Sequence, residues 1–346
     1  MLGVLLCALV AFVSLDCKRA ERQPQASVGS SPVPVASGAS AAPFLPTSAE
    51  PAEHGDSAIV GAGSRRGRPR TLVWDFQDGP YGELRVLVSV PRRGRDEPPL
   101  PVLVALHGRG EALKGPWRGA RGWLEDYQLH EAIDALEHPP LDVRDFHGFV
   151  SAERLSALNS RLSTDPYRGM VVVMPYTPIQ LSGAESLEAV VPYGRFIVES
   201  VLPRVYAETP SFGSAATTAI DGVSLGGRLS VLIGLMFPQA FGSVGSLQAA
   251  FGGDEVQKLT TLAAGALRRN PALRLRVLTS SGDYYREPLT RLSEAWRRAG
   301  ISHDFASVAG PHDYDFNRGP GAIEMLVFHD EALRTGDGFA GLSKRQ

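Results

Sequence analysis

From about residue 71 onwards, the apolar residues form short runs that alternate with stretches of helical spacing. Two near-continuous apolar runs, residues 101–106 and 170–175, predict strands covered on both faces. Five further runs predict strands: residues 83–90, 216–220, 242–248, 273–279 and 302–308. Apolar positions three and four residues apart predict helices between them, for example over 226–236 and 287–299. This alternation predicts an α/β protein with a mostly parallel, doubly wound sheet and helices on both faces.

Two other features shape the predicted domain. Residues 72–74 predict a first strand that forms an antiparallel edge hairpin with the strand at 83–90, joined through Asp78-Gly79. Residues 141–168 form an insertion that could cap a site, and Ser151 there predicts an N-capped helix over 152–162. Its aromatic residues either line a pocket or pack against the domain: Phe146, Phe149 and Tyr167.

The chain before residue 71 has a different composition. Residues 2–15 are apolar, too short a stretch to span a bilayer comfortably and typical of a secretion signal. Cys17 follows, and residues 18–70 are rich in Ala, Pro, Ser and Gly, which predicts a disordered linker. We therefore expect a signal at 1–17, this linker, and a folded domain at 71–340. Lipidation of Cys17 would make the exported protein an envelope lipoprotein tethered to the membrane. Plain secretion and an uncleaved anchor are the alternatives.

Composition narrows the possible partners. The chain has 346 residues, 43% of them hydrophobic, which is enough for one sizeable core. A net charge of −2 and the lack of a dense basic block argue against a nucleic-acid partner. No His/Cys spacing typical of a metal site occurs in the sequence, so we expect no cofactor.

One short motif suggests covalent chemistry. Ser224 stands in Gly222-Val-Ser-Leu-Gly226, between a predicted strand and a predicted helix. This strand–turn–helix context is the one in which a glycine-flanked serine serves as a nucleophile. Glycine on both sides permits the tight turn that exposes the hydroxyl group.

A serine nucleophile needs a base and an acid that orients it. Asp283 follows the predicted strand at 273–279, and His312 lies in a Gly-Pro loop after the last predicted strand. The order serine, aspartate, histidine is that of α/β-hydrolases. Other acids remain alternatives to Asp283: Asp254, Asp304, Asp313 and Asp315.

An oxyanion hole is the remaining requirement of acyl transfer. One donor is expected to be the backbone N–H of Leu225, directly after the serine. The second is expected from the loop after the strand at 101–106, from either Arg109 or Gly108. We interpret His107 in the same loop as a residue that hydrogen-bonds the backbone.

Together these motifs resemble the esterase D-like branch of the α/β-hydrolases, over approximately residues 70–335. The resemblance rests on residues 106–108, 193–203, 222–227, 282–283 and 310–314. That branch includes feruloyl and acetyl-xylan esterases, siderophore-ester hydrolases and mycolyltransferases. The resemblance implies a Ser–His–Asp esterase with Ser224, His312 and Asp283 in these roles. Leu225 departs from the Met found in many members, and residues 141–168 are longer than usual.

The expected function is therefore that of an exported serine esterase, which hydrolyses a small-molecule or polymer-linked carboxylic ester through an acyl-enzyme. Two alternatives remain at this point. An acyltransferase of the same fold would use an alcohol or a sugar in place of water. A non-catalytic envelope protein would keep the fold as a binding module, since a fold alone does not define an activity.

Overall fold

The computed structural model describes residues 68–94, 96–183 and 187–334. The expected signal, Cys17 and nearly all of the expected linker lie outside these residues. Within them, no helix combines the length and the apolar character needed to cross a membrane.

Eight strands form one sheet in the order β1-β2-β4-β3-β5-β6-β7-β8. The strands β1 and β2 are antiparallel, β2 is antiparallel to β4, and all other neighbours are parallel. Their bounds are β1 Arg70–Gly79, β2 Gly82–Val90, β3 Val102–Leu106, β4 Val171–Pro175, β5 Thr218–Gly222, β6 Ser243–Val244, β7 Arg274–Gly282 and β8 Asp304–Pro311. The mostly parallel sheet predicted from the sequence is confirmed.

Helices follow most of the parallel strands. They are α1 Arg109–Ala112, α2 Gly115–Gly119, α3 Gly122–Glu125, α4 Leu129–Glu137, α5 Ala152–Thr164, α6 Leu187–Arg195, α7 Leu202–Glu208, α8 Leu225–Met236, α9 Val256–Arg269, α10 Arg286–Arg298, α11 Tyr314–Phe316 and α12 Ala322–Ala332. Two π-helical segments, Phe196–Val201 and Asn317–Gly321, join α6 to α7 and α11 to α12. Every residue of β3, β4 and β5 is buried, so layers cover both faces of the central sheet.

The edge hairpin is longer than its sequence pattern indicated. The strand β1 begins at Arg70, and its register pairs Trp74 with Val86. Trp74 is buried whereas its neighbours Val73 and Asp75 are exposed, because alternate side chains of an edge strand face opposite sides. Asp78-Gly79, the joint expected from the sequence, still belongs to β1, and the tight turn lies just after it at residues 80–81.

The strand after α8 is much shorter than predicted. Only Ser243 and Val244 pair regularly, between β5 and β7. Beyond them the backbone turns, with Gln248 at a positive φ of 47°, and Leu247 makes only isolated bridges to Val223 and Leu278. An apolar sequence could not indicate this break, because it depends on contacts with both neighbouring strands.

The insertion at 141–168 packs against the last helix. The Oγ of Ser151 accepts a hydrogen bond from the N–H of Arg154 at 3.2 Å and so caps α5, as predicted. Arg154 then donates through Nε to Glu324 of α12 at 2.8 Å. Phe146 is fully buried, and Phe149 packs against Phe316. The described contacts of the insertion are thus with α12 and its surroundings.

A cluster of polar side chains is buried behind β5. Asp221 accepts hydrogen bonds from Arg276 Nη2 at 2.7 Å and from His329 Nε2 at 2.9 Å. The hydroxyl group of Ser243 bonds the other ring nitrogen of His329, Nδ1, at 2.7 Å. Burial lowers the pKa of His329, so the ring is neutral and accepts the hydroxyl proton at Nδ1. The cluster joins β5, β6, β7 and α12 beneath the turn that carries Ser224.

Candidate active site

Ser224 occupies a strained turn between β5 and α8. Its φ of +55° and ψ of −113° are rarely adopted by residues with a side chain and cost of the order of 1–3 kcal/mol. A Cβ atom at Gly226 would lie 2.2 Å from the carbonyl oxygen of Leu106, and one at Gly222 would lie 2.5 Å from the carbonyl carbon of Gly226. Only glycine fits at these two positions, and the turn has the form of a nucleophile elbow.

Backbone hydrogen bonds hold this turn in place. The N–H of Ser224 donates to the carbonyl oxygen of Leu247 at 2.9 Å. Its carbonyl oxygen accepts from Arg228 at 3.0 Å and from Ala250 at 3.1 Å. These contacts use the peptide groups and leave the hydroxyl group on the wall of a cleft.

Asp283 and His312 meet directly. Asp283 follows β7 and His312 follows β8, and the carboxyl ends of parallel strands meet at one edge of a sheet. His312 Nδ1 lies 2.7 Å from Oδ1 of Asp283, whose side chain is fully buried. The same carboxylate accepts from the N–H of Tyr285 at 3.0 Å and from Oγ1 of Thr279 at 2.6 Å. Since the carboxylate can only accept, Nδ1 of His312 donates, and Nε2 is left for another partner.

Gln248 connects the serine turn with the histidine loop. It follows Leu247, which accepts the N–H of Ser224. Its Nε2 donates to the carbonyl oxygen of Pro311 at 2.8 Å and to Oγ of Ser280 at 2.7 Å. Gln248 could not be selected from the sequence, because its partners lie 32 and 63 residues further along the chain. The sequence-based prediction also lacked Thr279, whose hydroxyl group bonds Asp283. It lies only four residues before Asp283, so its nearness in sequence could have indicated this contact.

The cleft beside Ser224 has a volume of about 580 Å³. Its lining includes Ser224, Leu225, Arg109, Ser182 and Tyr285. The ring of Tyr285 also contacts the imidazole of His312, with 5.9 Å between centroids, which brings the histidine close to the wall of this cleft. The hydrogen bonds between described residues do not include one from Ser224 Oγ to His312. Without substrate such contacts are often longer than in the working complex.

The backbone N–H groups of Leu225 and Arg109 are placed to serve as the donors of the expected oxyanion hole. Leu225 is the first residue of α8 and Arg109 the first of α1, so neither N–H has an acceptor within its own helix. Both residues line the cleft. The N–H of Gly108, in contrast, donates to Oη of Tyr127 at 3.1 Å. This bond turns the Gly108 N–H into the protein, so of the two sequence-based alternatives the geometry favours Arg109.

His107 holds the same loop from inside. Burial lowers its pKa to about 4, so the ring is neutral at pH 7. Nδ1 donates to the carbonyl oxygen of Gly108 at 3.0 Å, and Nε2 accepts from the N–H of Thr177 at 2.9 Å. This is the backbone-bonding role expected from the sequence.

Of the rival acids considered in the sequence, none pairs with His312. Asp313 caps α11 by accepting the N–H of Phe316 at 3.0 Å, and Asp315 lies 3.1 Å from Arg318. Asp304 pairs with Arg274 at 3.5 Å, and Asp254 lines the cleft. Among residues 68–94, 96–183 and 187–334 there is no group of three or more His, Cys, Asp or Glu side chains that could hold a metal ion.

Solved structures with a similar fold are known. A ferulic acid esterase matches with a TM-score of 0.54 at 15% identity, over 77% of this chain and 99% of its own. S-formylglutathione hydrolase FrmB from Staphylococcus aureus matches with 0.53 at 14%, over 76% of this chain and 99% of its own. The fluorophosphonate-binding serine hydrolase FphF from Staphylococcus aureus matches with 0.55 at 14%, over the same shares. No family model and no curated protein sequence matches the chain.

At such low identity the likeness concerns the fold. The matches span about three quarters of this chain and nearly the whole of each neighbour, so they cover the sheet and its helices. The protein therefore has the α/β-hydrolase fold that its motifs resemble.

Proposed function

We propose that the protein is a serine hydrolase that cleaves carboxylic esters through an acyl-enzyme. One observation carries the proposal: the strained Ser224 opens onto a cleft at the sheet edge where the Asp283–His312 pair is already formed. Strain of this kind persists where the surrounding structure enforces it, and it concentrates at functional sites. Solved structures of the same fold that are described as esterases and serine hydrolases support the proposal.

In the first half-reaction, His312 Nε2 takes the proton of the Ser224 hydroxyl group as Oγ attacks the ester carbonyl carbon. Asp283 holds the imidazole by its Nδ1–H and stabilises the positive charge that forms on the ring. The tetrahedral intermediate collapses when the carbon–oxygen bond to the alcohol breaks. The leaving alkoxide takes the proton from Nε2, and the acyl group remains on Oγ.

The second half-reaction returns the enzyme to its starting state. Nε2 takes a proton from water, whose oxygen attacks the acyl carbon, and the same proton then returns to Ser224 Oγ as the acid leaves. In both halves the negative oxygen is held by the N–H groups of Leu225 and Arg109. Each such donor is worth roughly 3 kcal/mol of barrier.

A fluorophosphonate probe tests this proposal, because it reacts with activated serines. We expect stoichiometric labelling of the wild type and none of Ser224→Ala or His312→Ala. Ser243→Ala is the matched control, since Ser243 also bonds a histidine but is fully buried. We expect that variant to be labelled like the wild type. A folded wild-type protein that takes up no probe would contradict the proposal.

The export of the enzyme forms a further part of the proposal. It is supported by the apolar stretch at 2–15, by Cys17, and by the Pro/Ala/Ser/Gly-rich segment that follows. In this view the hydrolase works in a bacterial envelope, tethered through a lipid on Cys17. Expression in a bacterial host with radiolabelled palmitate should give a labelled protein in the membrane fraction, and Cys17→Ser should abolish the label. A wild type that stays unlabelled in the cytoplasm would refute export.

A further inference from the structure

A buried carboxylate lies next to the proposed oxyanion hole and takes no part in the steps above. Glu111 is the third residue of α1, two positions after Arg109. Its side chain is only 2% exposed, although Arg109 of the same helix lines the cleft. A buried carboxylate is costly unless hydrogen bonds and an opposite charge compensate it. Its partners therefore indicate why it is there.

One oxygen of Glu111 reaches the oxyanion loop through a tyrosine. Tyr127 Oη donates a hydrogen bond to Oε2 of Glu111. The same Oη accepts the N–H of Gly108 at 3.1 Å. Burial and the nearby carboxylate raise the pKa of Tyr127 well above its ordinary value, so it remains a donor at neutral pH. The relay fixes the His107–Gly108 peptide group, one residue before the N–H of Arg109.

The other oxygen reaches the histidine loop. Tyr314 Oη donates to Oε1 of Glu111 at 2.7 Å, and Tyr314 stands two residues after His312. The tyrosine also lies against α1, because a Cβ atom at Gly110 would be 3.1 Å from its Oη. The two loops are 203 residues apart in sequence, and they meet at this carboxylate.

A cation completes the arrangement. Lys114 Nζ lies 3.7 Å from Oε1 of Glu111 and 2.6 Å from Asp126. It compensates the charge of the carboxylate, while the hydroxyl groups of Tyr127 and Tyr314 each donate to one of its oxygens. The carboxylate thus has two donors, from residues 16 and 203 positions away, and a counter-charge three residues further along the chain.

We infer that Glu111 is a positioning residue that links the oxyanion loop to the loop of the catalytic base. Through Tyr127 it turns the Gly108 N–H inward and so leaves the next N–H, that of Arg109, directed at the cleft. Through Tyr314 it holds the loop of His312 in register with that donor. The inference rests on the proposed function, since it assigns a role in the same site.

Steady-state kinetics on p-nitrophenyl butyrate test the link. We expect Tyr314→Phe to lower kcat about tenfold, because one bond to a charged group is lost, with KM changed less than twofold. The variant also removes a donor from a buried carboxylate and so lowers the thermal midpoint somewhat; kcat is therefore compared at a temperature at which both proteins are fully folded. Tyr127→Phe should lower kcat at least as much. Tyr167→Phe is the matched control, because Tyr167 is buried and its hydroxyl group has no partner among the described residues.

A double-variant comparison separates positioning from general stability. Glu111→Gln keeps the size of the side chain and one acceptor, and we expect it to lower kcat more than Tyr314→Phe does. Once Glu111 is replaced, the further change Tyr314→Phe should cost less than twofold, because both act through one group. Fully additive losses, or kcat unchanged in Tyr314→Phe and Tyr127→Phe, would overturn the inference alone. A wild type without esterase activity or probe uptake would overturn the proposed function and the inference with it.

Discussion

The described chain contains two serine–histidine–aspartate sets. The cleft set is Ser224, His312 and Asp283, and the buried set is Ser243, His329 and Asp221. Judged by hydrogen bonds, the buried set is the more complete, because serine bonds histidine and histidine bonds aspartate, at 2.7 and 2.9 Å. In the cleft set only the pair between histidine and aspartate is closed, at 2.7 Å.

The two sets differ in orientation and in access. In the cleft set the aspartate bonds Nδ1 of its histidine and leaves Nε2 for another partner, whereas in the buried set the aspartate bonds Nε2. All three residues of the buried set are fully inaccessible, and Arg276 neutralises the charge of its aspartate. Ser243 lies in an ordinary strand, while Ser224 has a strained backbone and faces a cleft. A hydrogen-bond pattern alone therefore does not define an active site. Backbone strain and room for a substrate distinguish the two sets.

The largest contrast is expected from replacing the two aspartates. Asp283→Asn should lower kcat about 10⁴-fold with little change in stability, because the imidazole loses the acceptor that orients it. Asp221→Asn should lower the free energy of unfolding by about 3–5 kcal/mol, because Arg276 is left as a buried charge without its partner. Kinetics at 15 °C and urea unfolding measure both effects.

In that comparison, the folded fraction of Asp221→Asn should keep kcat within about threefold of the wild type. A folded Asp221→Asn protein that is as inactive as Asp283→Asn would show that the buried set takes part in catalysis.

The interior histidines should couple protonation to folding. The pKa of His107 is about 4 in the folded protein against 6.5 when unperturbed, so the unfolded chain binds the proton more strongly. The contribution of the neutral His107 to the free energy of unfolding is therefore full above pH 6.5. It falls by about 3 kcal/mol as the pH is lowered to 4. Burial lowers the pKa of His329 in the same direction. Urea unfolding at pH 7 and pH 4 should show this loss in the wild type, and a smaller one in His107→Gln. Equal losses in both proteins would contradict the assignment to His107.

The smallest contrast concerns the ring beside each histidine. Tyr284 stacks on His312 with 5.1 Å between centroids and is otherwise 78% exposed, and Phe328 meets His329 edge-on at 4.9 Å. Such pairs are worth about 0.5–1.5 kcal/mol. Tyr284→Leu should lower kcat/KM about 3- to 10-fold and leave the stability unchanged. Phe328→Leu should leave kcat/KM unchanged and lower the free energy of unfolding by about 0.5–1.5 kcal/mol. If Tyr284→Leu lowered the free energy of unfolding and left kcat/KM unchanged, the ring of Tyr284 would contribute to packing alone.

The sequence predicted most where the decisive signal is local. Apolar runs and helical spacing were enough for the α/β order, and the glycines around Ser224 reflect a turn made by adjacent residues. Asp283 and His312 could be selected because each directly follows a strand at the same sheet edge. Their catalytic roles, with those of Leu225 and Arg109, stay predictions until variants are measured.

What the sequence could not predict depends on contacts between distant segments. The strand β6 ends after two residues because the chain then turns towards the serine elbow, and the pattern of residues 242–248 continues as if it were a strand. The sequence around Glu111 is typical of an exposed helix. Its burial depends on Tyr314, which lies 203 positions away in the chain. Asp221 and His329 are likewise 108 residues apart, so nothing near either of them indicates the buried set.

The order of these elements along the chain has a consequence for biosynthesis. Ser224 precedes β7 and β8, and the acid and base that would activate it follow those two strands. The imidazole of the buried set comes later still, in α12. A nascent chain that has reached β6 thus carries a serine with neither base nor acid. The strands β7 and β8 can join the sheet only after they have been synthesised, and domains generally fold as units. The proposed hydrolase would be inert on the ribosome and would first become reactive when its fold is complete.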